Sequence, residues 1–347
     1  MIFQIVSVYT VLHFLVDFSC AFLLYHQVYP VITNPLDVLY CFLIYNFFAF
    51  AVQLPIGMVA DYVKKNALFA LIGCLLVGVS FVCQPLGLFA CIVAGLGNAF
   101  FHIGAGVDVL TLSKGKAALP GVFVSSGALG IFLGAQSVVN KNFMSMLFVI
   151  LLGIGCIATY MLFKSYHSHL VNFKDKKYPF SWLTFFMICC LCLTVLLRSY
   201  TGFAFTFAWK NVFIAGLVFT LGVVLGKTLG GIISDKYGMK QTAILSLLLS
   251  AICFCFAFQD SILSIIAGTI GVLFFNMTMP ITLTALTNLM PDKKGFAFGL
   301  LTFMLFLGAL PFLFGHQYPY FSPKGLCVLI LISAVVLYGG LNKRIKD

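Results

Sequence analysis

The sequence predicts an all-α membrane protein of twelve transmembrane helices arranged as two six-helix halves. Three observations predict it: extreme hydropathy, the spacing of the apolar stretches, and an internal repeat. Of 347 residues, 62% are hydrophobic and only 8% are charged, against about 25% charged in soluble domains. Mean hydropathy is +1.11. A helix crossing a bilayer needs about 20 apolar residues. Breaking the chain at polar or Pro/Gly-marked points gives segments at roughly 2–24, 36–60, 66–83, 86–110, 117–139, 143–163, 181–208, 211–234, 239–258, 261–289, 295–315 and 325–341. The loops are a few residues long, except for KSYHSHLVNFKDKKYP after the sixth segment. The first segment lacks a basic leader region and a small-residue cleavage site, so it is expected to remain as a helix.

The basic residues orient these segments. With the N-terminus in the cytoplasm, that side carries Lys64, Lys65, Lys114, Lys116, Lys164, Lys174, Lys176, Lys177, Lys236, Lys240, Lys293, Lys294, Lys343, Arg344 and Lys346. The outer side carries only Lys141, Lys210 and Lys324. This is the positive-inside pattern, and it places both termini in the cytoplasm of a multi-pass cell (inner) membrane protein. The net charge of +11 therefore reflects topology rather than a nucleic-acid partner. The twelve cysteines lie scattered in apolar segments without the spacing of a zinc or redox site. They read as small packing residues, and neither a metal nor a cofactor is expected.

The repeat is visible at two anchors. GMVAD places Gly57 and Asp61 after the second segment, and GIISD places Gly231 and Asp235 after the eighth. The offset is 231 − 57 = 235 − 61 = 174. IFLGA and LFLGA place Gly134 and Gly308 at the same offset, 308 − 134 = 174. Two halves, 1–163 and 181–347, joined by a cytoplasmic linker at 164–180, follow from this. Parallel repeats of this kind are a recurrent transporter plan.

These residues carry a resemblance to the major facilitator superfamily. Gly231, Asp235, Gly238 and Lys240 resemble its G-x-x-x-D-x-x-G-x-K/R loop, which in the family latches a cytoplasmic gate. The first copy keeps Gly57, Asp61, Lys64 and Lys65, with Lys64 standing where the second glycine belongs. HFLVD (13–17), GLGNAFFHIGAG (95–106) and VFVSSGALGIFLGA (122–135) resemble the fosmidomycin-resistance type of efflux transporter. That type reads F-H-P-E at the fourth helix, where this chain has Phe101-His102-Ile103-Gly104, so no carboxylate role carries over there. Gly121, Gly130 and Gly134 match the glycine spacing of a proton-coupled exporter motif, with Ala135 in place of its proline. Ser126, Gly130 and Gly134 also form a smooth strip suited to close helix packing.

Ionisable groups inside a membrane cost roughly 2.5–3.5 kcal/mol at a helix centre and are site candidates by default. Here they are His13, Asp17, His102, Asp108, Arg198 and Lys227. His13 and Asp17 are four residues apart and share a helix face. The resemblance implies a central cavity lined by the first, fourth, seventh and tenth helices. Those helices carry His13 and Asp17, His102, Arg198, and Asn276 with Thr278. Asp17 and Arg198 are expected to pair across the cavity and, with His13, to serve proton coupling and gating. Asp108 is expected to contact Lys64 or Lys65 near the gate. Lys227 either reaches a surface or faces the cavity. Pro280 is expected to kink its helix.

The expected function is secondary active transport of a small organic compound, anionic or amphipathic, by proton-coupled export. The partners are substrate, protons and the bilayer, and the protein is expected to be a monomer. Proton-coupled import or facilitated diffusion is the alternative. No Walker loop is present, which excludes ATP drive. An intramembrane enzyme built on His13, Asp17 and His102 would lack any H-E-x-x-H or G-x-S-x-G motif and would leave the repeat unexplained.

Overall fold

Fourteen α-helices account for nearly all of the described chain. The computed structural model describes residues 2–136, 140–171, 181–259, 261–314 and 321–342; from 166 to 171 only the backbone is described. The linker beyond Val171 and the basic residues Lys343, Arg344 and Lys346 lie outside them. The helices are α1 (Ile2–Phe22), α2 (Pro35–Asn46), α3 (Gln53–Val63), α4 (Asn66–Val82), α5 (Leu88–Leu112), α6 (Ala118–Gln136) and α7 (Lys141–Val171). They continue with α8 (Trp182–Ala204), α9 (Phe213–Tyr237), α10 (Met239–Phe254), α11 (Ile262–Asn276), α12 (Thr278–Leu289), α13 (Lys294–Leu313) and α14 (Pro323–Gly340). Wider π turns extend α1 to Val28 and join α2 to α3.

Among the described residues, ten stretches are long and apolar enough to cross a membrane, and Asn66–Val82 and Met239–Phe254 are shorter apolar helices. All twelve coincide with segments read from the sequence, with ends shifted by a few residues. The chain is thus an all-α membrane protein.

Local chemistry sets the helix ends. Asn34, Ser181, Ser261 and Ser322 each accept a backbone N–H at the start of α2, α8, α11 and α14, satisfying donors the helix cannot. Gly238 ends α9 at φ +97°, and Lys64 ends α3 at φ +55° in the left-handed region. These two positions are 174 residues apart. Both take a positive φ, but ψ differs, +31° at Lys64 and +139° at Gly238, so the two helices end in different backbone conformations. Between α11 and α12 the helix breaks at Met277. Pro280 supplies the cause: it has no N–H for the Asn276 carbonyl and its ring crowds that turn.

Two compact units form. The first holds residues 1–114, 126–176 and Asp292–Phe303; the second holds 115–125, 177–291 and Met304–Asp347. Each unit therefore includes the start of one helix from the other half of the sequence, α13 in the first unit and α6 in the second.

In the first unit the backbones approach closely at glycines. A methyl on Gly104 would strike Ala70 and the Asn66 carbonyl of α4, and one on Gly130 would strike the Phe14 carbonyl of α1. In a lipid solvent, dispersion contacts of this kind drive helix association. Fully buried Phe22, Phe101 and Phe148 fill the remaining space.

Candidate functional site

Three features collect the sequence candidates. The first is a matched pair of aspartate clamps. In the first unit, Asp61 accepts the backbone N–H groups of Gly295 (2.7 Å) and Phe296 (2.8 Å) at the start of α13. In the second, Asp235 accepts those of Ala117 (2.7 Å) and Ala118 (3.0 Å) at the start of α6. A carboxylate here satisfies orphan donors and meets the positive end of the helix dipole. The conserved spacing of glycine to aspartate in each copy also has its reason. A side chain on Gly57 would strike the Gly295 carbonyl, and one on Gly231 would strike the Ala117 carbonyl. Glycine lets the helix come near enough for the aspartate, one turn later, to reach the N-terminus. Gly121 packs against the Lys227 carbonyl and Gly231. Lys64 and Lys65 are exposed at this end.

The second feature is a polar cluster inside the first unit, on α1 and α5. Asp17 Oδ2 lies 3.2 Å from His13 Nε2, and Asp17 Oδ1 lies 3.9 Å from His102 Nε2. The two histidines meet at 2.8 Å through their Nε2 atoms. Asn98 donates to Asp17 Oδ1 at 2.8 Å, and His102 Nδ1 faces the Asn98 carbonyl at 2.8 Å. Phe101 stands beside His13, with ring centroids 6.3 Å apart. Helix periodicity explains the convergence: His13 and Asp17 are one turn apart on α1, Asn98 and His102 one turn apart on α5. Asn98 was not singled out from the sequence. Its place one turn before His102 was the signal available.

The third feature is a set of buried polar groups with separate surroundings. Asp108, expected beside Lys64 or Lys65, instead accepts the Tyr9 hydroxyl (2.8 Å) and the Asn66 side-chain amide (2.9 Å). The reason is its facing. It is 1% exposed and turns inward to α1 and α4, while the two lysines are exposed.

In the second unit, Arg198 on α8 is 8% exposed, and its Nε has no hydrogen-bond partner among the described residues. Asp17 belongs to the first unit, where its partners are His13, His102 and Asn98. Lys227 donates to the Val124 carbonyl of α6 at 3.1 Å. Asn276 turns back on α11, donating to the Val272 carbonyl, and Thr278 at the start of α12 donates across the break to the Phe275 carbonyl of α11. Gly134 packs against the Phe18 carbonyl, so Gly130 and Gly134 both lie against α1.

Fold and site define a class: a polytopic α-helical protein with paired clamps at two helix starts and a histidine–aspartate cluster within the membrane. Residues 181–341 match the family model described as Major Facilitator Superfamily. The fold is shared with solved transporters of low sequence identity. The human organic anion transporter MFSD10 (TETRAN) aligns with a TM-score of 0.70 at 12% identity, covering 97% of this chain and 99% of that one. A variant of the Escherichia coli fucose:proton symporter FucP aligns with a TM-score of 0.57 at 11% identity, covering 99% of this chain and 98% of that one. FucP in its outward conformation gives the same score and identity. No curated protein matches the chain.

Proposed function

We propose that this chain is a secondary active transporter of the major facilitator superfamily, moving a small organic solute by alternating access. In this reading twelve spans form halves at 1–163 and 181–347, joined by the cytoplasmic linker 164–180. The observation that carries it is the pair of clamps at Asp61 and Asp235, one from each sequence repeat and each holding a helix start. Breaking and remaking such clamps is a two-state event of the kind alternating access requires. Gly57, Gly231, Gly238, Lys64, Lys65 and Lys240 complete the two gate loops.

His13, Asp17, His102, Arg198, Asn276 and Thr278 are the groups we assign to solute and ion handling. The unpartnered Nε of buried Arg198 favours an anionic solute, in keeping with the likeness to an organic anion transporter. Proton-linked export is the mode we favour, on the glycine spacing 121, 130 and 134. Proton symport is the second reading, favoured by the likeness to a fucose:proton symporter.

A screen of small organic anions for thermal stabilisation of the purified protein would supply a solute. In proteoliposomes, proton flux should then appear only with that solute present. Solute flux indifferent to the proton gradient would refute proton linkage, and no flux of any stabilising solute would refute transport.

A further inference from the structure

We propose that His13, Asp17 and His102 form a binding site for a divalent first-row transition-metal ion, of the zinc or cobalt type. The proposal goes beyond the transport reading and stands on the geometry of one unit. Each residue offers one ligand atom, and these atoms lie within 4.8 Å of one another. Ligands bound at about 2.0–2.2 Å stand roughly 3.0–3.5 Å apart around a tetrahedral or octahedral ion. The two imidazole Nε2 atoms are 2.8 Å apart; His13 Nε2 lies 3.2 Å from Asp17 Oδ2, and His102 Nε2 lies 3.9 Å from the other carboxylate oxygen, Oδ1. Rotation of the Asp17 carboxylate and small shifts of the two rings bring one oxygen and both Nε2 atoms around a common ion.

The surroundings are those of a prepared site. His102 Nδ1 lies at hydrogen-bond distance from the Asn98 carbonyl. A proton on Nδ1 directs the Nε2 lone pair at the cluster, the arrangement that metal-ligating histidines use. Asn98 also fixes Asp17 through Oδ1, so a single residue orients two ligands. The three side chains are 5%, 8% and 13% exposed, and among the described residues the ion-pair contacts of Asp17 run to the two histidines.

A shared proton satisfies the line between two of these atoms. A metal ion satisfies all three at once. Two imidazoles and one carboxylate suit zinc, cobalt or iron, whereas magnesium and calcium take all-oxygen sets. Three protein ligands leave a coordination position open for water or an anionic group. Gly127 of α6 maintains this space, because a Cβ there would strike both Asp17 Oδ2 and His13 Nε2.

The test uses the full chain, stripped of metal by chelation, in detergent or lipid nanodiscs. Titration with Co²⁺ should give visible absorption that saturates at one ion per chain, shows no thiolate charge-transfer band and is displaced by Zn²⁺. His102→Ala and Asp17→Ala should each abolish it. Asn98→Ala, which alters positioning only, should weaken affinity about 10–100-fold. X-ray absorption of the Zn²⁺-loaded wild type gives a readout independent of variant folding, with imidazole and oxygen neighbours expected. Absent saturable binding, binding unchanged in His102→Ala, or sulfur ligation by the free cysteines would each overturn the proposal. The proton-flux experiment stands apart from every one of these outcomes.

Discussion

Removing the Asp61 carboxylate should free the start of α13. In the wild type, two backbone N–H groups donate to it at 2.7 and 2.8 Å. Hydrogen bonds to a charged group contribute about 1.5–3 kcal/mol each when buried, while a helix-capping residue replaced by alanine costs about 0.5–2 kcal/mol. Asp61 is only partly buried, so water takes over some of the lost bonding and the capping range applies. A cost of about 2 kcal/mol corresponds to roughly a 30-fold change in the local opening equilibrium. Hydrogen exchange followed by mass spectrometry reads that directly. In Asp61→Ala, amides at Gly295 and Phe296 should exchange roughly 30-fold faster, while those at Ala117 and Ala118 keep their rate. Asp235→Ala should reverse the pattern. Unchanged exchange at Gly295 and Phe296 in Asp61→Ala would refute the clamp as an energetic contact.

Further outcomes follow from the same geometry. Lys64→Gly removes a left-handed strain of roughly 1–2 kcal/mol, so thermal unfolding should shift upward; a fall in melting temperature would contradict the assigned backbone. Gly104→Ala meets α4 backbone and should cost about 1–3 kcal/mol, whereas Gly78→Ala, inside α4 with nothing within 4 Å, should raise the melting temperature slightly, since alanine favours the helix by roughly 0.5–1 kcal/mol. Tyr9→Phe takes a donor from buried Asp108 and should destabilise by about 1–3 kcal/mol, as measured by thermal unfolding in detergent. Arg198→Met should raise the melting temperature while abolishing binding of an anionic solute, because a buried cation held for a ligand is costly without one. A variant that loses stability and keeps binding would assign Arg198 a structural role.

Much of the fold was legible because the bilayer simplifies the code. Helix is the structure that satisfies its own backbone bonds in lipid, so long apolar runs such as Leu88–Leu112 could be placed from hydropathy. Glycine and aspartate at a 174-residue offset marked the clamp loops, since close backbone approach demands glycine at Gly57 and Gly231. What Asp61 and Asp235 grasp was not legible. A helix N-terminus offers bare N–H groups, and Gly295, Phe296, Ala117 and Ala118 carry no side chain that advertises them. Asp108 shows the same limit. Its position near a basic loop suggested lysine, but the rotation of α5 turns it to Tyr9 and Asn66.

By itself, the sequence determined an all-helical membrane protein, the approximate places of its apolar segments, its repeat and the short set of ionisable residues inside those segments. The desolvation cost of each such residue makes it stand out against an apolar background. It also placed His13 and Asp17 on one face of a single helix, because helix periodicity is local. Only the tertiary structure brought His102 and Asn98 to that face from α5, more than 80 residues away. Periodicity fixes which side chains share a face. Which face meets which is decided by packing, here by the small residues that let one backbone approach another.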